Sequence, residues 1–362
     1  MAQFLNLQPE LFGIDINDLS LRIVKLEKRH NGLVVTSFNE VQITAGIIKE
    51  GIIKNKPALA KIIAGAVASV KGKKLNNRCV VISLPEEKSF SRVIEMPAMS
   101  PEELASAVAF EAENYIPLPM DSVYLDFQTM GSRKAGGRID VLMSSIPKSI
   151  VDAYVACCKE AGLEPWVLEV ESAAIARALM ETGRRTQPVG ILDLGVSNAT
   201  FIIYARNAIR FTASIPVGGQ QLTRTIAEHL GIDFERAESL KKEFGLTRAG
   251  EQKHALEEIL APVLTSLISQ IKKYMDFYYD RISGQQQGVP ERISTLLLCG
   301  GGANLKKLPE FLTRELKVSV QVGDPFANVI WQAIRTKNNI SRTQALPFTT
   351  ALGLALRGIQ DQ

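Results

Sequence analysis

Cysteine and histidine are both scarce in this sequence, with 4 and 3 residues among 362. Four cysteines cannot form a disulfide framework for a chain of this length, and they lie next to each other or inside apolar runs. We expect Cys79, Cys157, Cys158 and Cys299 to be buried thiols of a protein from a reducing compartment. The three histidines lie far apart without the spacing of metal ligands, so the sequence does not predict a His/Cys metal site.

Aromatic residues, long apolar runs and an excess of one charge are also missing. Aromatics make up 6% of the chain, and 42 Lys plus Arg against 38 Asp plus Glu leave a net charge of +4. A nucleic-acid-binding surface needs a stronger basic bias and interleaved aromatics, so we expect no nucleic-acid partner. No apolar run reaches the roughly 20 residues of a membrane-spanning helix. The N-terminus also lacks the pattern of a signal peptide. We therefore expect a cytoplasmic protein without direct membrane insertion.

The overall composition is that of a globular protein, with 46% hydrophobic and 22% charged residues. At roughly 100–200 residues per domain, it predicts two or three domains. Residues 88–160 predict a β-α-β-β-α insert with a Gly- and Lys-rich turn at 131–137. A capping box of Ser100 and Glu103 marks the start of its first helix. A long amphipathic helix is predicted from Pro262, followed by a surface loop, QQQGVP, and later by a final apolar helix.

One pattern occurs twice along the chain. The stretch FGIDINDLSLRIVKLEK is an apolar run around Asp15, a polar turn and a second β-rich run, and GILDLGVSNATFIIY repeats it around Asp193. Two hairpins of this kind predict two related α/β halves. Aligning the two aspartates pairs Asn17 with Gly195, Ser20 with Asn198, and Arg22 with Thr200.

Both hairpins carry the chemistry of a magnesium–nucleotide site. The N–H groups of a turn can bind phosphate oxygens, and carboxylates such as Asp15 and Asp193 can hold the hydrated cation that offsets phosphate charge. The alternative is a pair of ordinary hairpins whose polar residues only favour the turn. The residues alone leave both interpretations open.

Three weaker features are compatible with the same site. The run LCGGGANL at 298–305 and the pair Gly218–Gly219 each join a strand to a helix. Glycines there let a ligand approach the backbone, and the helix N-terminus favours an anion. Glu238 and Lys241 lie three residues apart on one helix face, where they could contact a ribose and a base, although solvated helix charges are the ordinary alternative.

The order of these features resembles the actin-like ATPase superfamily, which includes actin, DnaK-type chaperones, sugar kinases, FtsA and MreB. Within it, the chain is similar over nearly its whole length to the PilM family of type IV pilus assembly proteins. Four stretches carry the resemblance: GIIKEGIIKN, FEAENYIPLPMDSVYLDFQ, LEPWVLEVESAAIARAL and ISQIKKYMDFYY.

This resemblance implies an α/β, two-lobed actin-like fold made of two RNase H-like halves, with a small α+β insert as in FtsA and PilM. ATP or ADP with Mg²⁺ would bind in the cleft between the lobes. The implied division is a first lobe at 1–87, 161–189 and 343–362, an insert at 88–160, a second-lobe core at 190–225 and 290–342, and a helical subdomain at 226–289.

The resemblance also implies roles for individual residues. Asp15 and Asp193 would hold Mg²⁺, and Glu171 and Asp193 would be the catalytic residues, with Glu171 positioning water or the metal. The residues that would surround the nucleotide are Asp15, Asn17, Asp18, Gly195, Ser197, Asn198, Thr200, Gly218, Gly219, Glu238, Lys241, Gly300, Gly301, Gly302 and Asn304.

The sequence departs from the family in the first hairpin. Family members usually have Gly-Ser-Ser where Asn17, Asp18 and Leu19 stand, and often Lys where Arg22 stands. A carboxylate at Asp18 would repel phosphate oxygens at close range unless Mg²⁺ or Arg22 intervenes. Either Asp18 caps its own turn and points away, or nucleotide binding or hydrolysis is weakened.

The function implied by the resemblance is an ATP-binding scaffold of the type IV pilus inner-membrane platform. It would bind the cytoplasmic N-terminal segment of PilN between the insert and the first lobe, and so lie peripheral to the inner membrane. Nucleotide would close the lobes, with slow or no hydrolysis. Other platform proteins, motor ATPases and a second copy of the chain remain open as partners.

Two alternatives within the superfamily are a small-molecule kinase and an FtsA-like cell-division filament protein. A kinase needs a substrate pocket, and the insert shows no evident substrate loop. An FtsA-like protein would carry a linker and a membrane-binding helix after its last core helix, and this sequence stops directly after that helix. We expect neither.

Overall fold

The first part of the chain forms most of a six-stranded sheet. The computed structural model describes residues 9–30, 32–130, 137–181, 187–247, 254–283, 292–330 and 340–360. Most of the predicted turn at 131–137 and the QQQGVP loop therefore lie outside the described residues. A polar turn separates two apolar runs, which pair as a hairpin, and a third antiparallel strand follows. The elements are β1 (Phe12–Ile16), β2 (Ser20–Arg29), β3 (Gly32–Gln42), β4 (Ile48–Lys49), β5 (Ile52–Ile53), α1 (Lys56–Ala68), β6 (Lys71–Gly72) and β7 (Cys79–Leu84).

A small three-stranded sheet with one helix is inserted after β7. Its helix begins where the sequence predicts, because the Ser100 hydroxyl accepts from the Glu103 N–H and the Glu103 carboxylate accepts from the Ser100 N–H. The elements are β8 (Phe90–Pro97), α2 (Pro101–Ala112), β9 (Val123–Met130) and β10 (Arg138–Pro147), in the sheet order β8-β10-β9.

The next helix returns to the first lobe. Helix α3 (Lys148–Glu160) is followed by β11 (Glu164–Val170) and α4 (Glu171–Leu179). Its buried residues, among them Tyr154, pack with β1, α1 and β7 rather than with the core of the small sheet. The sequence grouped this helix with the insert because it follows β10 directly. Its apolar face instead covers the larger sheet, so the packed insert is β-α-β-β.

A second, five-stranded sheet and its helices form the other lobe. The sequence predicts that the long helix starts at Pro262, but helix α7 begins eight residues earlier. The reason is that the apolar spacing continues upstream through the buried residues Leu256, Ile259 and Leu260. The elements are β12 (Val189–Leu194), β13 (Ala199–Ala205), β14 (Ala208–Ile215), α5 (Gly219–Leu230), α6 (Phe234–Phe244), α7 (His254–Ser283), β15 (Thr295–Cys299), α8 (Leu308–Leu316) and β16 (Ser319–Val322).

The last helix packs back onto the first lobe. After α9 (Arg342–Ala345), α10 (Thr349–Gln360) lies against β1 and α4. A Cβ atom on Gly353 would lie 1.8 Å from the Ala174 carbonyl oxygen, so only glycine allows α10 and α4 this close approach.

Five strands of the first sheet have the same topology as the five of the second, which confirms the predicted internal symmetry. The first runs β11-β7-β1-β2-β3-β6 and the second β14-β13-β12-β15-β16. In each, an antiparallel three-stranded meander is extended by two parallel strands on the side of its first strand. The two halves therefore place equivalent hairpins at equivalent positions.

Two sequence expectations about the environment of the chain can be compared with the structure. Cys157, Cys158 and Cys299 are buried as predicted, but Cys79 is partly exposed because it opens β7 at the end of the sheet. Within the described residues, no helix is both long and apolar enough to cross a membrane.

Candidate functional site

The two equivalent hairpins face each other across the gap between the lobes. Asp15 lies opposite Arg22 in the first hairpin, and Asp193 lies opposite Thr200 in the second, as the sequence alignment of the two repeats predicts. Each aspartate is the last residue but one of a buried strand. They line one cavity together with Glu171, the first residue of α4.

The turn of the first hairpin is closed by Asn17. Its N–H donates to the Ser20 carbonyl at 3.0 Å, and its side-chain Oδ1 accepts from the Ser20 N–H at 3.1 Å and from the Ser20 hydroxyl at 2.9 Å. Asp18 does not cap this turn, contrary to one of the two expectations. Its carboxylate instead accepts from the N–H groups of Glu50 and Gly51 at 2.8 and 3.0 Å. The reason is that the Asn17 side chain already accepts the hydrogen bonds available in the turn, whereas the 50–51 loop presents two adjacent N–H donors.

The turn of the second hairpin is tied to the start of α5. The Gly195 N–H donates to the Asn198 carbonyl at 3.0 Å, and the Gly219 and Gln220 N–H groups donate to the Gly195 and Val196 carbonyls. A Cβ on Gly218 would lie 2.5 Å from the Val196 carbonyl oxygen, so the two turns approach through this glycine. The Gly-Gly pair predicted at a ligand turn therefore holds the hairpin against α5.

Each of the three carboxylates at the centre has a distinct polar neighbour. The Ser83 hydroxyl donates to Asp15 Oδ1 at 3.0 Å, and the Cys299 thiol donates to Asp193 Oδ1 at 3.4 Å. The Glu86 N–H lies 3.4 Å from Glu171 Oε2. The side chains are thus held in fixed orientations at the cavity wall.

Burial raises the pKa values of the carboxylates in this cluster. It raises the pKa of Asp15, against the opposing charge of Arg22, and raises the pKa of Asp193 to about 6. Burial and then the charges of Asp15 and Asp193 hold the pKa of Glu171 well above its usual range. A cluster of this kind favours a cation, because like charges at close range are otherwise relieved by protonation.

The opposite end of the cavity is formed by α5 and α6. Lys241 Nζ lies 2.7 Å from Glu238 Oε2 and donates to the Thr223 hydroxyl at 2.6 Å and the Gly219 carbonyl at 2.8 Å. The Lys241 side chain is 12% exposed. Glu238 and Lys241 are therefore a fixed polar pair at the cavity wall, not the solvated helix charges of the ordinary alternative.

The glycine run after β15 lies directly beside Asp193. Gly300 has a φ of +76°, and a Cβ there would lie 2.4 Å from Asp193 Oδ1. The following residues form a short 3₁₀ turn, in which the Asn304 amide donates to the Thr343 carbonyl at 2.9 Å. The glycines thus bring bare backbone up to the carboxylates.

These parts enclose a cavity of about 580 Å³, a volume typical of small-molecule sites. The structure brings most of the predicted residues into its wall: Asp15, Asn17, Glu171, Asp193, Gly195, Gly219, Glu238, Lys241, Gly300, Gly301, Gly302 and Asn304. Asp18, Ser197 and Asn198 line a small adjoining cavity between the hairpin tips. Thr200 and Gly218 lie behind these walls. Thr200 is the strand partner of Asp193, and Gly218 is the position at which the hairpin turn packs against the start of α5.

Several wall residues were not predicted from the sequence. Arg22, Gln42, Gln220 and Phe234 line the cavity, and Ser83 and Glu86 lie behind the carboxylates. The sequence pointed to Arg22 only as a group that could intervene between Asp18 and phosphate. The others come from strands and helices whose place depends on sheet pairing, which no local pattern shows.

A comparison with family models shows which family the chain belongs to. The profile of the family described as "Type IV pilus assembly protein PilM" matches residues 13–359. This chain belongs to the PilM family.

Similar structures agree with the PilM assignment. A chain of a solved "PilM-PilN type IV pilus biogenesis complex" is 25% identical and superposes with a TM-score of 0.83, covering 97% of this chain and 99% of that one. MreB 5 of Spiroplasma citri bound to AMPPNP is 11% identical, with a TM-score of 0.55 and 97% of each chain covered. The predicted actin-like fold, with its relation to FtsA and PilM, is therefore confirmed.

More distant sequence relatives of this PilM-family chain are cell-division proteins. FtsA of Pseudomonas aeruginosa is 24% identical over 71% of this chain and 64% of its own length, and FtsA of Neisseria meningitidis is 22% identical over 68% and 64%. The chain spans a little under two thirds of the length of these FtsA relatives.

Proposed function

We propose that this protein is a nucleotide-binding scaffold in type IV pilus assembly. The observation that carries the proposal is the cavity of about 580 Å³ between two symmetry-related hairpins, each presenting a buried aspartate. Membership of the PilM family supports a role in pilus assembly, and a structural neighbour with the same fold was solved with AMPPNP bound.

The cavity walls fit a magnesium–nucleotide. Mg²⁺ is commonly held by one or two carboxylates together with phosphate oxygens, and Asp15 and Asp193 supply these carboxylates. The cation would offset phosphate charge beside an otherwise acidic wall. The turn at Gly195, Ser197 and Asn198 would face the phosphates.

The remaining wall would hold the adenosine. The Glu238 carboxylate, held in place by Lys241, would offer an acceptor to the ribose or base. Gly300, Gly301 and Gly302 would allow the nucleotide to approach the backbone. Glu171 would act through water or the metal. Burial and the neighbouring carboxylates raise the pKa of Glu171, which disfavours the ionised form that a general base needs and agrees with slow or absent hydrolysis.

We further propose that the partner is PilN and that nucleotide tunes its binding. The structural neighbour is a PilM–PilN complex. The cytoplasmic N-terminal segment of PilN would bind beside the insert and hold the protein at the inner membrane. Closure of the two lobes around nucleotide would then change the surface offered to PilN.

Calorimetry with ATP and ADP tests the nucleotide site. We expect binding that needs Mg²⁺ and is lost in D193A, because removing this carboxylate removes a cation ligand. The matched control is D276A, which removes an exposed aspartate from α7. Binding that survives D193A, or no binding by the wild-type protein, would contradict the proposed site.

The same titration with a synthetic peptide of the PilN N-terminal segment tests the partner, with a scrambled peptide as control. We expect peptide affinity to change when Mg²⁺–ATP is present. Equal affinity with and without nucleotide would leave an adaptor role and refute nucleotide gating.

A further inference from the structure

Three charged residues form a row across the first sheet beside the cavity. Asp15 on β1 pairs in register with Arg22 on β2, and Arg22 pairs in register with Glu40 on β3. Residues directly opposite each other on adjacent strands project from the same face of the sheet. The register therefore places an acid–base–acid row at one level of the sheet, with Asp15 at the cavity.

The contacts within this row are unequal. Glu40 Oε1 accepts from Arg22 Nε at 2.9 Å and lies 2.8 Å from Arg22 Nη2. Arg22 Nη1 lies 3.8 Å from Asp15 Oδ2, which is too long for a strong hydrogen bond. Glu40 thus occupies one edge of the guanidinium, and the other edge is directed towards Asp15 and the cavity that Arg22 lines.

The equivalent row in the second lobe shows that hairpin folding does not require these charges. There Asp193 pairs with Thr200, and Thr200 pairs with Ser214. The two hairpins have the same register and the same topology, yet only the first carries a cation and its counter-charge. The row of charged residues is therefore particular to the first lobe and is not required by the shared fold.

Arg22 is also distinct among the cations that line the described cavity wall. Lys241 and Lys242 both lie at the α6 end, and both pair with Glu238. Arg22 lies at the carboxylate end, with a side chain 10% exposed. A phosphate beside Asp15 would therefore lie close to this guanidinium.

We infer that Glu40 is a positioning residue that holds Arg22 as a clamp for the nucleotide phosphates. This inference rests on the proposed nucleotide site. Without Glu40, the guanidinium is free to close the 3.8 Å gap to Asp15 as a direct ion pair, which would occupy the Asp15 oxygens meant for the cation. With Glu40 in place, Arg22 stays within reach of phosphate while Asp15 remains available.

The test is calorimetric binding of ATP, ADP and adenosine to the full chain and to E40Q. The expected effect is the loss of one charge-assisted hydrogen bond. We therefore expect ATP and ADP to bind E40Q about tenfold more weakly. Adenosine affinity should not change, because Glu238 and Lys241 are untouched. The control is E27Q, which removes the carboxylate that pairs with Lys73 on the surface of the same sheet.

A second variant separates positioning from a general charge effect. R22K keeps the charge but cannot offer two nitrogens to Glu40. We expect R22K to weaken ATP binding, and E40Q to have no further effect in the R22K background.

Three outcomes would overturn the inference: unchanged ATP affinity in E40Q, tighter binding because Glu40 only neutralises Arg22, or equal weakening for adenosine. Each of these leaves the proposed nucleotide site standing. Absence of ATP binding by the wild-type protein would instead refute the proposed function, and this inference with it.

Discussion

Gly300 lies where the cleft leaves no room for a side chain. Its positive φ is strained for any side chain, and a Cβ would lie 2.4 Å from the Asp193 carboxylate. We expect G300A to lower the free energy of unfolding by about 1–3 kcal/mol. The control is G301A, where the nearest atom to a new Cβ is Pro347 Cγ at 4.0 Å. Urea denaturation of both variants measures the difference, and equal stabilities would show that the Gly300 backbone can relax.

Glu87 predicts a pH dependence of stability. Partial burial, and then the charge of Asp18, raise the pKa of Glu87 to about 7 from a usual 4.5. Because the folded protein binds this proton more tightly than the unfolded chain, stability is lost as the pH rises from about 4.5 through 7. We expect E87Q to be more stable than wild type by about 1 kcal/mol at pH 8, a figure reduced for solvent screening, and little changed at pH 5.

Chemical denaturation at both pH values tests this expectation, with E160Q as an exposed control on α3. A stabilisation of E87Q that is the same at pH 5 and pH 8 would show that charge at Glu87 is not the cause.

The sequence predicts the parts of the site that lie within one local pattern. Asp15, Asp193 and Gly300 each belong to a strand followed by a tight turn, and such patterns can be recognised in a few residues. Glu40 and Ser83 could not be predicted, because their contacts with Arg22 and Asp15 exist only through the pairing of β3 and β7 with the first hairpin. For Asp18, one interpretation of the sequence correctly had the carboxylate pointing away from the site. The sequence does not identify the loop that this carboxylate contacts.

Replacing a helical glycine by alanine is expected to have opposite effects at two positions. Gly65 lies inside α1, and a Cβ there meets nothing within 4 Å, whereas a Cβ on Gly353 would lie 1.8 Å from the Ala174 carbonyl oxygen at the α10–α4 contact. We expect G65A to stabilise the protein by about 0.5–1 kcal/mol, because alanine loses less conformational freedom on folding. G353A should destabilise it by about 3 kcal/mol or more, since the two helices must move apart.

Thermal and urea unfolding of G65A and G353A measure both effects, each variant serving as the control for the other. Destabilisation by G65A would mean that α1 is constrained by contacts other than those of its own helix. A neutral G353A would mean that α10 does not pack on α4 as closely as the structure shows.

Helices α3 and α7 show why the existence of an element is easier to predict than its place. The apolar spacing of each predicts a helix, and each forms one. That spacing does not tell which sheet will cover the apolar face, so α3 was grouped with the insert although Tyr154 donates to the Gly51 carbonyl of the first lobe. Pro262 favoured a helix start, yet burial of Leu256 and Leu260 outweighs the one backbone hydrogen bond that proline removes.

Across the whole molecule, the insert contacts the second lobe as well as the first. The edge strand β14 of the second lobe lies beside β8 of the insert, and Arg210 Nη1 lies 2.8 Å from Asp140 Oδ2. Both side chains are 14% exposed. A movement of the second lobe that follows nucleotide binding would therefore be transmitted to the insert through this contact.

The strength of this contact can be measured with paired substitutions. We expect R210A to destabilise the protein by about 1–3 kcal/mol, because it leaves the largely buried Asp140 carboxylate without this partner. The exchange R210D/D140R should recover part of the loss, and R224A, on the exposed face of α5, should cost little. Hydrogen exchange then tests the transmission: protection of β8 should change on adding Mg²⁺–ATP in the wild-type protein and not in R210A. If β8 responds equally in both proteins, the insert takes its position from the first lobe alone, and the ion pair only adds stability.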